Sequence, residues 1–152
     1  MHRCAFVTKI VVDYLEKTME PDIRMIVITS MGVGDSKQFA TPNWKFIMKY
    51  LLNKAMQDKE EQEKIVKASS HKNWVIVRPA FYVDVPLRKL YRSEHFILGG
   101  GRIGRYDTAH FVEQCFLNDT WIGFSPSIAY QDFPSATLNF LANFKNLIKS
   151  KL

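Results

Sequence analysis

The spacing of apolar residues predicts a helix near the start of the chain and a buried strand after it. The helix, over residues 5–19, has apolar residues at helical intervals: Phe6, Ile10, Val11, Tyr14 and Leu15. Glu20-Pro21-Asp22 ends it. Residues 25–30 are apolar without alternation, which is typical of a strand buried on both faces in a parallel sheet.

The same order of helix and strand continues. Thr41 as N-cap and Pro42 at the first helical position predict a long helix that runs to about Ser69. Within it, Glu60, Glu61 and Glu63 alternate with lysines, which indicates a solvated helix face. Residues 74–77 then predict a second buried strand, ended by Arg78-Pro79.

The last third of the chain predicts two more helices and one more strand. Asp107 is expected to cap a helix over residues 107–117. Residues 124–130 resemble a strand, and a closing helix is expected from Pro134. The alternation of helices and strands along the whole chain indicates an α/β layered fold with a largely parallel sheet.

Composition and charge narrow the class of protein. The chain has 152 residues, 47% of them hydrophobic and 24% charged, which is ordinary for a globular domain and excludes a disordered or collagen-like chain. The net charge of +6 is spread evenly, so it favours solubility over nucleic-acid binding. No apolar run is long enough to span a membrane, and the start lacks the features of a secretory signal.

The cysteines and histidines indicate neither a disulfide framework nor a metal site. Cys4 and Cys115 have no metal-ligand spacing, and two reduced thiols are typical of a cytoplasmic protein. The histidines are scattered along the chain, at positions 2, 71, 95 and 110. No metal is therefore expected.

Three residues are candidates for a ligand site at one edge of the predicted sheet. Ligands of open parallel sheets bind beyond the carboxyl ends of the strands, where Ser30 and Pro79 fall. Lys59 projects into the apolar stripe of the long predicted helix, about 40° from Ala55. Such a lysine either snorkels to water or donates to a polar ligand such as a ribose hydroxyl or a phosphate. Spacing alone leaves both interpretations open.

Residues 99–104 match the G-x-G-x-x-G pattern of dinucleotide-binding turns. That fingerprint requires a helix to open at the glycines, whereas the next helix is expected to begin at Asp107. We therefore interpret Gly99-Gly100-Gly101 as a hairpin turn between two short strands. A true dinucleotide fingerprint is the alternative.

Four segments, in order, resemble the atypical short-chain dehydrogenases/reductases that have an NAD(P)H-binding, NmrA-like domain. They are I-V-I-T-S-M-G-V-G-D-S at 26–36, D-K-E-E-Q-E-K-I-V-K-A-S at 58–69, W-V-I-V-R-P at 74–79 and G-R-I-G-R-Y-D-T-A-H-F at 101–111. The segment 119–130 is similar to the ending of the flavin reductase/biliverdin-IXβ reductase branch. The resemblance covers about residues 5–131.

The resemblance implies which residues bind the cofactor. It places Ile28 and Ser30 beside the nicotinamide ribose and Lys59 at the basic or imidazole position of the family's long helix, with Ser30 and Lys59 as the catalytic residues. It also implies a loop whose backbone holds the nicotinamide amide, formed by Arg78, Pro79, Ala80 and Phe81. The tyrosine of tyrosine-dependent relatives would fall at Ala55, so any proton would come from Ser30, solvent or the substrate.

The resemblance further implies a partial Rossmann-like fold: a doubly wound, mostly parallel sheet without the N-terminal βαβ half that carries the glycine turn. Residues 1–152 are then one domain, the C-terminal part of an NAD(P)-binding domain. The implied cofactor is NADP(H) or NAD(H), and the implied activity is hydride transfer to a small planar acceptor such as a flavin or quinone. A truncated gene product, a shortened isoform or a partner chain would each explain the missing half.

Two other functions stay open. A non-catalytic NmrA-like module would sense the dinucleotide or bind a protein. A folded remnant would act by dimerising through the exposed edge of strand 25–30 or through the last helix.

Overall fold

Helices and strands alternate along the part of the chain that the computed structural model describes, which is residues 3–40, 42, 45–46, 50, 52–97 and 101–131. In chain order they are α1 (Arg3–Thr18), β1 (Met25–Ile28), a 3₁₀ helix (Gly34–Phe39), α2 (Asn53–Ala68), β2 (Trp74–Pro79), β3 (Phe81–Val83), β4 (Tyr91–Glu94), β5 (Arg102–Gly104), α3 (Arg105–Leu117) and β6 (Ser127–Tyr130). The expected α/β class is confirmed.

The main sheet is mostly parallel. Its order is β1-β2-β6-β4, with β1 parallel to β2, β2 parallel to β6, and β4 antiparallel to β6. Met25 lies opposite Trp74, and Ile28 lies opposite Val77. The short strands β3 and β5 form a separate parallel pair. Among the described residues, β1 is therefore an outermost strand of the main sheet.

Helices cover both faces of the main sheet. Successive side chains of β1 and β2 point to opposite faces, so the two strands contribute to a buried cluster on each side. On one face, α1 and α2 pack on a buried cluster formed by Val12, Leu15, Met25, Val27, Val66, Trp74 and Ile76. On the other, α3 contributes Phe111 and Cys115 to the cluster that contains Val75 and Val77. All six residues of β2 are buried. This arrangement confirms the doubly wound, Rossmann-like expectation. No helix of the described chain is long and apolar enough to cross a membrane.

Two predicted elements differ clearly from the structure in their limits, and a third lies outside the described residues. The long helix expected from Pro42 is divided at Leu52, which has a non-helical backbone (φ −116°, ψ 9°). The described residues before it, at 42, 45, 46 and 50, are helical, and α2 begins at Asn53. Its expected cap, Thr41, lies outside the described residues. The strand predicted from residue 124 is regular only from Ser127, although Phe124 and Pro126 already accept hydrogen bonds from β2. The closing helix from Pro134 lies outside the described residues.

Asp107 does not cap the third helix, so that expectation is wrong. The helix starts two residues earlier, at Arg105, with Gly104 at the N-cap. The Asp107 carboxylate is buried and accepts from the backbone N–H of Lys89 at 2.7 Å and from the Tyr130 hydroxyl at 2.6 Å. It thus holds a loop and β6 against α3, while its negative charge suits the first turn of a helix.

The glycine-rich segment is not a hairpin turn either. Although Gly99 and Gly100 lie outside the described residues, the flanking strands belong to different sheets: β4 pairs with β6, and β5 pairs with β3. A Cβ on Gly101 would lie 2.9 Å from the Ala129 side chain, and one on Gly104 would lie 2.6 Å from the Tyr130 hydroxyl. Close packing on β6 therefore accounts for these two glycines without a phosphate.

Candidate functional site

The carboxyl ends of β1 and β2 stay side by side beyond the last regular strand residues. The N–H of Thr29 donates to the carbonyl of Val77 at 2.8 Å, and the N–H of Met31 donates to that of Pro79 at 3.0 Å. Ser30 lies between these two hydrogen bonds. The structure thus brings Ile28, Ser30 and Pro79 to one edge of the sheet, where open α/β folds bind their ligands.

Lys59 reaches this edge from α2. Its Nζ donates to the carbonyl oxygen of Ile28 at 2.9 Å and to Oε1 of Gln62 at 3.1 Å. Gln62 is buried and donates in turn to the hydroxyl of Thr8 on α1 at 2.9 Å. A lysine ammonium has three donors, and two of them are used here. The third can serve a ligand beside the end of β1.

The Ile28 carbonyl that holds Lys59 lies on the open side of β1. The N–H groups of Met25 and Thr29 both donate toward β2. Because backbone groups of successive strand residues alternate in direction, the carbonyl of Ile28 points away from β2. Lys59 therefore occupies the outer rim of the sheet rather than the core. This agrees with its half-buried side chain, and Ala55, expected on an inner stripe one turn earlier, is exposed.

Ser30 offers a hydroxyl at the same edge. Its side chain is half-buried, and Oγ donates to the carbonyl of Met31 at 3.1 Å. The oxygen keeps its acceptor capacity for a second group. Two residues before it, the Ile28 side chain is 40% exposed and provides an apolar surface.

Residues 78–81 are not the loop that the resemblance implies, because they lie at the end of β2 and the start of β3. Their backbone donors are committed to neighbouring segments of chain. The N–H of Arg78 donates to Pro126 at 2.8 Å, that of Ala80 to Ile128 at 3.0 Å, and that of Phe81 to Gly101 at 3.1 Å. A nicotinamide amide at these residues would therefore be held through carbonyl oxygens or side chains. The assignment of these residues to the cofactor stays a prediction.

The Arg78 side chain is occupied by an ion pair that the sequence did not reveal. It is fully buried, and it binds Glu63 through Nε–Oε1 (2.9 Å) and Nη2–Oε2 (2.6 Å). Asp35 lies 2.5 Å from Nη2, and Thr29 donates its hydroxyl to Glu63 at 2.8 Å. The interpretation of Glu63 as part of a solvated face is therefore wrong, because its side chain is only 2% exposed. An arginine that ends an otherwise apolar strand was the available signal, since such a cation needs a buried carboxylate.

The charges of this network reinforce one another. Burial acts to lower the pKa of Arg78, but hydrogen bonds and attraction from Glu63 and Asp35 outweigh it and raise the pKa. Burial acts to raise the pKa of Asp35, but Arg78 and Lys67 outweigh it and lower the pKa. Both shifts favour the charged forms of Arg78 and Asp35. The hydrogen bonds between Arg78 and Glu63 tie α2 to β2 next to the candidate site.

The described residues fit one end of a dinucleotide better than the other. At the ends of β1 and β2 they present an ammonium with a spare donor, a hydroxyl and an apolar side chain, which suit a ribose and a nicotinamide ring. A pyrophosphate calls for a glycine turn that opens a helix after a strand. The two described glycines of residues 99–104 are explained by packing on β6. The fit is thus to the nicotinamide end.

A mostly parallel sheet with helices on both faces, as in this chain, is typical of the Rossmann-like class. Residues 7–119 match the NAD(P)H-binding family, and the chain belongs to that family. The expected cofactor class, NADP(H) or NAD(H), is confirmed by this membership. A search of curated proteins found no match.

Solved structures share the fold at low sequence identity. ChuY from E. coli CFT073 is 24% identical (TM-score 0.70; 86% of this chain, 67% of that chain). ChuY from E. coli O157:H7, described as an anaerobillin reductase, is 22% identical (TM-score 0.71; 87% of this chain, 61% of that chain). A wide-type short-chain dehydrogenase/reductase from Veillonella parvula in complex with NADP is 12% identical (TM-score 0.71; 87% of this chain, 61% of that chain). The chain thus spans about three fifths to two thirds of the length of these structures.

Proposed function

We propose that this chain is the nicotinamide-binding part of an NAD(P)H-dependent reductase, with residues 1–152 as the C-terminal portion of one Rossmann-like domain. The observation that carries the proposal is the Lys59 ammonium, held 2.9 Å from the Ile28 carbonyl at the edge where β1 ends. Ser30 and Pro79 lie at the same edge. Membership of the NAD(P)H-binding family supports this assignment.

Each residue at this edge has a distinct role in the proposal. Lys59 donates its third N–H to a ribose hydroxyl, and the side chain of Ile28 packs against the nicotinamide ring. When bound, NAD(P)H supplies a hydride. Ser30 positions the acceptor and passes a proton to it, or the proton comes from solvent or from the acceptor itself. The exposed Ala55 offers no hydroxyl one turn before Lys59.

The proposed acceptor is a small planar molecule of the flavin or quinone type. The exposed side chains of Ile28 (40%) and Phe81 (38%) provide apolar surface at the site for a flat ring. We also assign the chain to the cytoplasm, because Cys4 and Cys115 are both free thiols.

Oxidation of NADPH and NADH in the presence of FMN, riboflavin or a benzoquinone, followed at 340 nm, tests the activity. The proposal expects turnover by the wild type with at least one acceptor. It expects Ser30→Ala to lower the rate at saturating cofactor and Lys59→Ala to raise the cofactor concentration needed for half-maximal rate. A folded chain that binds no cofactor and oxidises none would contradict the proposal.

A non-catalytic dinucleotide sensor of the NmrA-like kind is the second candidate function. The observation that favours it is alanine at position 55, where tyrosine-dependent relatives have their proton donor. Cofactor binding without turnover for any acceptor would support the sensor over the reductase. In that case Lys59→Ala should weaken binding, while Ser30→Ala should change it little.

A further inference from the structure

Gln62 is a buried polar residue beside the candidate site to which the proposed function gives no role. It lies three residues after Lys59 on α2 and is 7% exposed. Its Oε1 accepts from the Nζ of Lys59 at 3.1 Å, and its Nε2 donates to the hydroxyl of Thr8 at 2.9 Å. A chain of hydrogen bonds therefore runs from Thr8 through Gln62 to the ammonium that is bound to the end of β1.

The direction of the Gln62 amide follows from the groups that it contacts. A lysine ammonium has three donors and no acceptor, so only the amide oxygen can face Lys59. The amino group then faces the hydroxyl of Thr8, which accepts its hydrogen bond. A flipped amide would point its own N–H groups at the ammonium. Lys59 thus contacts an acceptor whose orientation is fixed from the far side.

The far end of this chain belongs to α1, which is joined to α2 on both sides of Lys59. Thr8 is 6% exposed and binds Gln62. One turn earlier on α1, the N–H groups of Cys4 and Ala5 donate to the carboxylate of Asp58, each at 3.0 Å. Asp58 directly precedes Lys59 in the sequence. The segment of α2 that carries Lys59 is therefore fixed against a second helix.

A glutamine at this position leaves the charge of Lys59 uncompensated. Positions 60, 61 and 63 are glutamates, and position 62 interrupts this run with a neutral side chain. Among the described residues, the two partners of the ammonium, the Ile28 carbonyl and the Gln62 amide, are both uncharged. A neutral acceptor orients the cation without forming an ion pair. The charge then stays available for a hydrogen bond to a ligand.

We propose that Gln62 is a positioning residue that orients Lys59 for the cofactor, an inference that rests on the proposed function. Two of the three Nζ donors are bound, to Ile28 and to Gln62, so the direction of the third is fixed. A free lysine side chain samples many rotamers, and ordering it on binding costs free energy. Gln62 orders it before the ligand arrives. Loss of Gln62 should therefore weaken cofactor binding through Lys59 alone.

Competitive acetylation with acetic anhydride, read for each lysine by mass spectrometry, measures how firmly Lys59 is held and needs no cofactor. Gln62→Met keeps the length of the side chain and removes both hydrogen bonds, so Lys59 should label about fivefold faster. Gln62→Glu keeps an acceptor, so Lys59 should label as slowly as in the wild type. Lys64, exposed on the same helix, should label equally in all variants.

Calorimetric titration with NADPH connects the orientation of Lys59 to the cofactor. Gln62→Met should raise the dissociation constant about threefold, because Lys59 must then be ordered on binding. The double variant Lys59→Ala/Gln62→Met should bind like Lys59→Ala, since Gln62 acts through Lys59. Gln57→Met is the matched control, because Gln57 is an exposed glutamine of α2 that donates to Asn53. It should leave affinity and labelling unchanged.

Thr8→Val serves as a second variant in case circular dichroism shows that Gln62→Met does not fold. It removes the acceptor of the Gln62 amino group and leaves Gln62 in place. Lys59 should again label faster than in the wild type, by a smaller factor than in Gln62→Met.

Three results separate the proposal from its alternatives. Labelling of Lys59 at the wild-type rate in both Gln62→Met and Thr8→Val would overturn it, and so would a Gln62→Glu variant that labels as fast as Gln62→Met. A further loss of affinity when Gln62→Met is added to Lys59→Ala would also overturn it. If the wild type binds no NADPH while labelling of Lys59 depends on Gln62, the proposed function fails and the positioning of Lys59 stands.

Discussion

The Lys59 ammonium is hydrogen-bonded to the main-chain carbonyl of Ile28, at 2.9 Å, on the side of β1 that faces away from β2. The contact links α2 to the rim of the sheet and leaves one ammonium donor for a ligand. The side chain thus neither lies in the core nor extends freely into water, and its contact with a ligand stays a prediction. The account of the cofactor site depends on this residue.

Lys59→Ala should weaken NADPH binding about tenfold, or about 1.4 kcal/mol, because one charged donor to the ribose is lost. The free energy of unfolding should fall by less than about 1 kcal/mol, since the hydrogen bonds lost are partly exposed. Calorimetric titration and urea denaturation measure the two effects. Lys64→Ala is the control, because Lys64 is on the same helix and forms an exposed ion pair with Glu61 at 3.7 Å. A sharp loss of stability with unchanged binding would make Lys59 structural.

Arg78→Met should lower the free energy of unfolding by about 3–5 kcal/mol, because the buried Glu63 carboxyl group loses its two hydrogen bonds to the guanidinium and keeps only Lys67, at 3.6 Å, as a cationic neighbour. Adding Glu63→Leu to Arg78→Met should restore part of the loss. Guanidinium denaturation of both variants measures this coupling. A double variant that is no more stable than Arg78→Met alone would show that the two residues do not act as a unit.

Gly34→Ala should be clearly more destabilising than Gly123→Ala. Both glycines have positive φ angles (56° and 77°), so each substitution introduces backbone strain. At Gly34, however, the added Cβ would lie 2.7 Å from the Glu63 carboxylate, whereas nothing lies within 4 Å at Gly123. We expect a difference of roughly 2 kcal/mol in thermal or chemical denaturation. Equal losses would mean that the Glu63 carboxylate moves away at little cost.

Asp35 should make stability fall in acid. Arg78 and Lys67, outweighing the effect of burial, lower its pKa in the folded state, so the folded protein binds fewer protons than the unfolded chain. The stabilising contribution is present above the unfolded pKa of about 3.9 and is lost as the pH falls through the lower folded pKa. Asp35→Asn should therefore show a shallower loss of stability below about pH 4. Identical pH profiles for the two proteins would contradict this role.

The elements whose pattern is local were predictable from the sequence. The apolar runs at 25–30 and 74–77 identified β1 and β2. The expected burial on both faces holds for β2, whereas in β1 Ile26 is half-buried and Ile28 is 40% exposed. Helical spacing placed Lys59 on an inner apolar stripe, whereas Ala55 of that stripe is exposed and Lys59 reaches the rim of the sheet. The two strand predictions depend on a local run of apolar residues, which a single sequence contains.

The features that depend on contacts between distant residues were not predictable. Glu63 has the sequence neighbours of a solvated helix face, and only the register of α2 against β2 brings it to Arg78. Asp107 has the sequence position of an N-cap, yet its carboxylate serves the loop at Lys89 and the Tyr130 hydroxyl. Tertiary partners that lie far away in the sequence decided these cases.

Isothermal titration of the 152-residue chain with NADPH tests the central claim most directly. The account predicts saturable binding by the wild type that is about tenfold weaker in Lys59→Ala and unchanged in Lys64→Ala. A chain that is folded by circular dichroism and yet releases no heat and shows no shift in thermal stability with NADPH would contradict the claim that the ends of β1 and β2 hold the nicotinamide end of the cofactor.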